Sequence, residues 1–202
     1  MNDKRIATRY LLLRLRATAL ALRDEVETVE TRLADTADTR AVLRHLLATL
    51  AYRAAKVLRD MPPTFAEFSA GPNWRRPVLI VAHLADLMAW GLMMLKGDNV
   101  WRAEATNDWN TEVRRFFDAM VALDQLLASD TVFNLDRSAE MLIQGPLADA
   151  LTHVGQLAML RSAAGIPVRP ESYARADIVR GRVGPDQTPA GREFDGDASV
   201  RS

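Results

Sequence analysis

Asp149, His153, Gln156 and Leu160 are spaced i, i+4, i+7 and i+11, the interval that aligns side chains in one stripe along a helix. Around them, residues 147–160 hold a single charged side chain, Asp149, and only Thr152, His153 and Gln156 as further strongly polar groups. A helix so poor in charge is expected to be buried nearly all round. A carboxylate and an imidazole on such a helix need partners. A divalent metal ion is one, and hydrogen bonds within the core are another. A third reading makes the stripe the polar edge of an amphipathic helix, opposite Leu147, Leu151, Val154 and Ala158. Solvated edges usually carry Lys, Glu or Arg, however, and none follows Asp149 before Arg161. The other ionisable groups in apolar surroundings are His83 and Asp86, inside VLIVAHLADLMAWGLMML at residues 78–95. Leu79, Ile80 and Leu87 neighbour His83 at helical spacing, so it is expected to be a buried histidine bonded to a neighbour. Met88, Met93 and Met94 read as packing, and His45, off its helix's apolar stripe, as a surface or helix-contact residue.

These groups need helices to position them. Gly145-Pro146 reads as a helix start and Gly165 as its stop, because proline suits the first helical position and glycine the left-handed turn beyond the last. Pro77 opens the helix of residues 77–97 in the same way. Upstream, Leu43, Leu46, Leu47, Leu50, Ala54, Val57 and Leu58 face one way on a helix ended by Met61-Pro62-Pro63. Residues 107–128 repeat Trp109, Val113, Phe116, Phe117, Met120, Leu123 and Leu127 with a helical period, leaving Asp118 and Asp124 to solvent. Phe65, Phe68 and Trp74 are expected to plug an end of the core, and residues 138–144 to add a short helical turn.

The first 35 residues stand apart. Leu12, Leu15, Ala19, Leu22, Val26, Val29 and Leu33 alternate spacings of three and four, a heptad-like seam. Lys4, Arg5, Arg9, Arg14 and Arg16 precede Asp24, Glu25, Glu27 and Glu30, an order that opposes the helix dipole. This extra helix is expected to pack on the bundle or on a second subunit, with a polar break at residues 36–39. Residues 166–186 read as an extended segment anchored by Tyr173, Ile178 and Val183, and residues 188–202 as disordered. The expected organisation is an N-terminal helical extension (1–38), a bundle (39–168), and an extended segment with its tail (169–202).

Composition excludes several functions. Among 202 residues, 26 Lys and Arg balance 26 Asp and Glu, so no global field recruits nucleic acid or a membrane. The absence of cysteine removes disulfides, thiolate metal sites and a cysteine nucleophile. No apolar run is expected to reach the roughly 18 residues of a membrane span. A cytoplasmic protein is expected.

Ala82-His83-Leu84-Ala85-Asp86-Leu87, followed by His153-Val154-Gly155-Gln156-Leu157, resembles the DinB-like (YfiT-like) four-helix-bundle superfamily over roughly residues 39–168. The resemblance implies an all-α four-helix bundle, here with an additional N-terminal helix and an irregular C-terminal tail. It implies that His83 and His153 are metal-binding histidines, and that Asp149 stands where the family usually has the first histidine of HxxxHRGQL. Val154 likewise replaces the arginine of that motif. Two histidines and a carboxylate still suit divalent zinc, nickel, iron or manganese. The alternative is a lost metal site with His83, Asp149 and His153 hydrogen-bonded to one another. Gln156 matches the motif glutamine, expected to orient a ligand, and Asp86 is a candidate partner for His83.

The superfamily includes thiol-dependent transferases and isomerases and metal-dependent hydrolases. One expectation is therefore a metalloenzyme acting on a small molecule, with Tyr173 and Asp177 reaching the bundle mouth. The other is a non-catalytic interaction or stress-related bundle, with the seam of residues 12–33 as its surface and a homodimer as one outcome.

Overall fold

A computed structural model describes residues 2–131 and 135–194. The described residues form five α-helices: α1 (Asn2–Leu58), α2 (Pro77–Leu95), α3 (Trp109–Ala128), α4 (Leu135–Leu142) and α5 (Ala148–Ala163). Among the described residues there is no strand, only one isolated bridge between Glu171 and Glu193. The protein is an all-α packed helical bundle. The chain divides into two compact units, Met1–Thr39 and Arg40–Ser202. In the first, the side chains described between residues 14 and 29 are all exposed. The side chains of Leu12, Leu15 and Leu33 lie outside the described residues. The polar break expected at residues 36–39 is absent. These residues are helical, since Ala favours a helix, Thr and Asp lower helix propensity only modestly, and none is a proline or glycine.

In the second unit the core follows the apolar periodicity. The end of α1 buries Leu43, Leu47, Leu50, Ala54 and Val57, and α3 buries Phe116, Phe117, Met120, Leu123 and Leu127. Each large side chain so buried contributes roughly 2 kcal/mol. Helix α2 runs through the middle of this core. Contrary to expectation, it is long and apolar enough to cross a membrane, and its hydropathy is accounted for by burial of 67% of the relevant window inside the bundle. Its start matches expectation. Arg76 is extended, as a residue before proline must be, and Pro77 takes the first helical position. Helix α3 starts at Trp109, two residues later than the spacing suggests, because Asp108 caps it by accepting the Thr111 N–H at 2.8 Å.

Gly145-Pro146 does not begin a helix. A π turn, Ile143–Leu147, joins α4 directly to α5 and contains Pro146. The wider turn tolerates proline's missing N–H without ending the helix. Gly91 of α2 approaches it closely. A β-carbon there would lie 3.2 Å from the Leu142 side chain and 3.4 Å from the Pro146 ring, so a larger residue would require the Leu142 side chain to give by a few tenths of an ångström. The stop at Gly165 is as expected, in the left-handed region at φ +77°. Asp124 is not solvated but buried, holding Arg44 of α1 with contacts of 2.9 and 3.0 Å.

After α5, Val183 is buried, Ile178 is half-buried and packs on the core, and Tyr173 sets its ring edge against Tyr52. Glu171 and Glu193 both pair with the buried Lys56 at 2.8 Å. This ion cluster holds residues 188–194, which the sequence suggested were disordered. Residues 195–202 lie outside the described residues.

Candidate metal centre

Helix α5 is less buried than its composition suggests. Ala148, Thr152, Gly155 and Met159 form an exposed, uncharged strip, and Asp149, His153, Gln156 and Leu160 lie beside it at the boundary with the core. The side chain of His153 is 11% exposed and that of Asp149 43%, so the carboxylate sits at the mouth and the imidazole inside. Across from them α2 supplies His83, whose side chain is 20% exposed rather than fully buried, because the centre opens at the surface.

Three residues from two helices, 66 positions apart in sequence, thus converge. One ligand atom from each of His83, Asp149 and His153 lies within 4.8 Å of the others. Asp149 Oδ2 is 3.2 Å from His83 Nε2, and Asp149 Oδ1 is 3.4 Å from His153 Nε2. The two imidazoles meet edge to face, with centroids 4.7 Å apart. Gln156 fixes one ring. Its amide oxygen faces His153 Nδ1 at 2.7 Å. With the amide oxygen on this side Nδ1 carries the proton, and in the neutral ring Nε2 presents its lone pair. That lone pair looks toward a carboxylate oxygen, an acceptor facing an acceptor. A proton or a cation between them resolves the opposition. His83 is biased toward the neutral form that a ligand needs. Burial pushes its pKa below the ordinary histidine value. The Asp149 hydrogen bond offsets part of this, and Arg75 and His153 add to the lowering.

The surroundings hold the group in place. Trp101, from the loop after α2, covers His83 with ring centroids 5.4 Å apart and leans edge-on against Trp90. Trp90 Nε1 donates to Asn99 at 2.8 Å, fastening the same loop. Asp86 does not bond His83. It is buried, and it accepts from Arg115 at 2.7 Å and from the Glu104 N–H at 3.2 Å, so it anchors the loop that carries Trp101. Arg115 also pairs with Glu112, which accepts from the Thr106 hydroxyl. The contribution of Asp86 is to place the cover over the ring, a role its position three residues from His83 does not reveal.

A cleft of about 430 Å³ adjoins His153 and Gln156 and is bounded by Trp74, Arg75 and Met159. Trp74 is 46% exposed and walls this cleft, whereas Phe65, as expected, plugs the core against Trp109. Trp74, Arg75 and Trp101 were missed as site residues from the sequence. Their only signal was that aromatics cluster in the two loops flanking α2. Tyr173 and Asp177, expected at the bundle mouth, do not line this cleft. Tyr173 meets Tyr52 and Arg53, and Asp177 accepts from Thr188. His45 is exposed, and Met88 is packed in the core.

Taken together, the donor set fits a divalent cation: two imidazoles and one carboxylate, one imidazole held by an outer hydrogen bond, beside an open cleft. Comparison with models of known families, with curated proteins and with solved structures returned no match.

Proposed function

We propose that His83, Asp149 and His153 hold one divalent metal ion, and that the chain uses it in hydrolysis of, or thiol transfer to, a small molecule bound in the adjoining cleft. The observation that carries the reading is the convergence of three ligand atoms within 4.8 Å from two separate helices. The resemblance of the Ala82–Leu87 and His153–Leu157 sequences to DinB-like proteins adds support. Zinc, nickel, iron and manganese all suit this donor set, and such an ion supplies Lewis acidity that lowers the pKa of water or a thiol beside it. The residues of the chain do the rest. Gln156 holds the His153 tautomer, Trp101 shields His83, and Trp74 and Met159 offer apolar walls to a substrate. Arg75 at the rim favours a substrate with an acidic group.

The second reading is a non-catalytic bundle with a metal-free triad. The 3.2 Å contact of His83 with Asp149 favours it, because a hydrogen bond satisfies both without an ion. Elemental analysis after incubation with each of the four metals separates the two. One equivalent in the wild type, lost in Asp149→Ala and His153→Ala, is expected. No metal retained in the wild type would overturn the proposal and leave the triad reading.

A further inference from the structure

The unit Met1–Thr39 carries a feature that the metal centre does not use. Leu22, Val26 and Val29 are 57%, 56% and 54% exposed, and Ala19 beside them is exposed too. Single exposed apolar residues are unremarkable. These four fall on one helical stripe with spacings of three, four and three, and the sequence continues the same spacing at residues 12, 15 and 33. A seam of three heptads on one helix is the pattern of a two-helix contact, because the residues recur on the side facing a partner.

Charge selects the occupant and its direction. Residues 4–16 hold five basic side chains and no acidic one, and residues 24–30 hold four acidic side chains and no basic one. Arg14, Arg16, Asp24 and Glu25 are exposed. A second copy aligned in parallel would set basic against basic and acidic against acidic. Turned antiparallel, it sets each basic stretch beside an acidic one. With Ala19 beside Leu22 across the pair, residues 24–30 of one copy run along residues 11–17 of the other, which brings Glu25 and Glu27 beside Arg16 and Arg14.

We infer that this seam is a homodimer interface: the first helical unit pairs antiparallel with the same unit of a second copy, Ala19 layered on the partner subunit's Leu22. The inference is independent of the metal centre. Sedimentation of the full chain measures it directly. The wild type is expected at twice the chain mass. Leu22→Glu combined with Val26→Glu, at positions already exposed, is expected to weaken dimerisation at least about a hundredfold. Since the chain has no cysteine, introduced thiols report direction cleanly. Ala19→Cys mixed with Leu22→Cys is expected to form a disulfide between copies, and Val29→Cys alone is expected not to. A monomeric wild type, a dimer that survives the double glutamate variant, or a Val29→Cys chain that cross-links to its own copy would each overturn the inference. The first outcome would point instead to a seam covered within one chain.

Discussion

Helix α2 contributes to two polar clusters through residues only three positions apart, and the clusters differ in one respect. Around Asp86, Arg115 supplies the cation. The guanidinium bonds Asp86 and Glu112 together, and Glu112 is wholly buried. Around His83, two imidazoles and Asp149 converge; Arg75 acts on His83 from the cleft, but among the described residues no guanidinium or ammonium pairs with Asp149. The first cluster is complete within the chain and works as a strut under the loop bearing Trp101. The second is a group of three side chains that could hold a metal ion. Titratable groups in a core thus mean different things according to whether the chain itself supplies the counter-charge.

The largest effect is expected from breaking the completed cluster. Arg115→Met leaves two buried carboxylates without their cation and is expected to destabilise the protein by about 3 kcal/mol in urea unfolding. Asp149→Ala, at a group 43% exposed, is expected to change metal-free stability by less than about 1 kcal/mol. Equal losses in the two variants would erase the distinction.

Metal should stabilise only through the other cluster. At a free concentration a hundredfold above its dissociation constant, zinc is expected to add about 2.7 kcal/mol to the wild type, read as a higher Tm. His83→Ala and His153→Ala should lose this response, whereas Arg115→Met should keep it from a lower baseline. A smaller change, about tenfold in metal affinity by chelator competition, is expected for Gln156→Leu, which frees the His153 ring. Unchanged affinity would mean that the 2.7 Å contact orients nothing.

The smallest effects separate the clusters by pH. Burial pushes the Glu112 pKa up, but the Thr106 backbone N–H and hydroxyl and Arg115 outweigh it and hold the carboxyl below its ordinary value. Its stabilisation is therefore present above the unfolded-state pKa, about 4.3, and is lost as pH falls through the lower folded value. The folded pKa of His83 is also depressed, so the unfolded chain takes up that proton first, and metal-free stability declines as pH drops below about 6.5. In chelator, His83→Gln should flatten the higher window and Glu112→Gln the lower one. A His83→Gln profile that matches the wild type between pH 5 and 7 would contradict the depressed histidine.

Local chemistry made much of the bundle legible. Pro77 and Gly165 marked real helix ends, since each acts through its own backbone. Pro146 obeyed the same chemistry, yet the close packing of Gly91 and a π turn carried the helix past it. The centre was legible in part because Asp149, His153 and Gln156 share one helix stripe. Asp86 was misjudged because its partner lies 29 residues away on α3, and Asp124 because its partner is 80 residues away on α1. Nothing in a chain with 26 basic residues tells which arginine will fold against which carboxylate.

By itself the sequence determined the helical class, most helix ends, the α5 stripe and the seam of the first 35 residues, because periodicity, proline and glycine act within a few positions. Only the tertiary structure decided that His83 would meet Asp149, that Trp101 would cover it, and that Arg115 rather than His83 would take Asp86. Those outcomes depend on which helix faces packed together, and packing is set by the fit of whole surfaces rather than by any local run of residues.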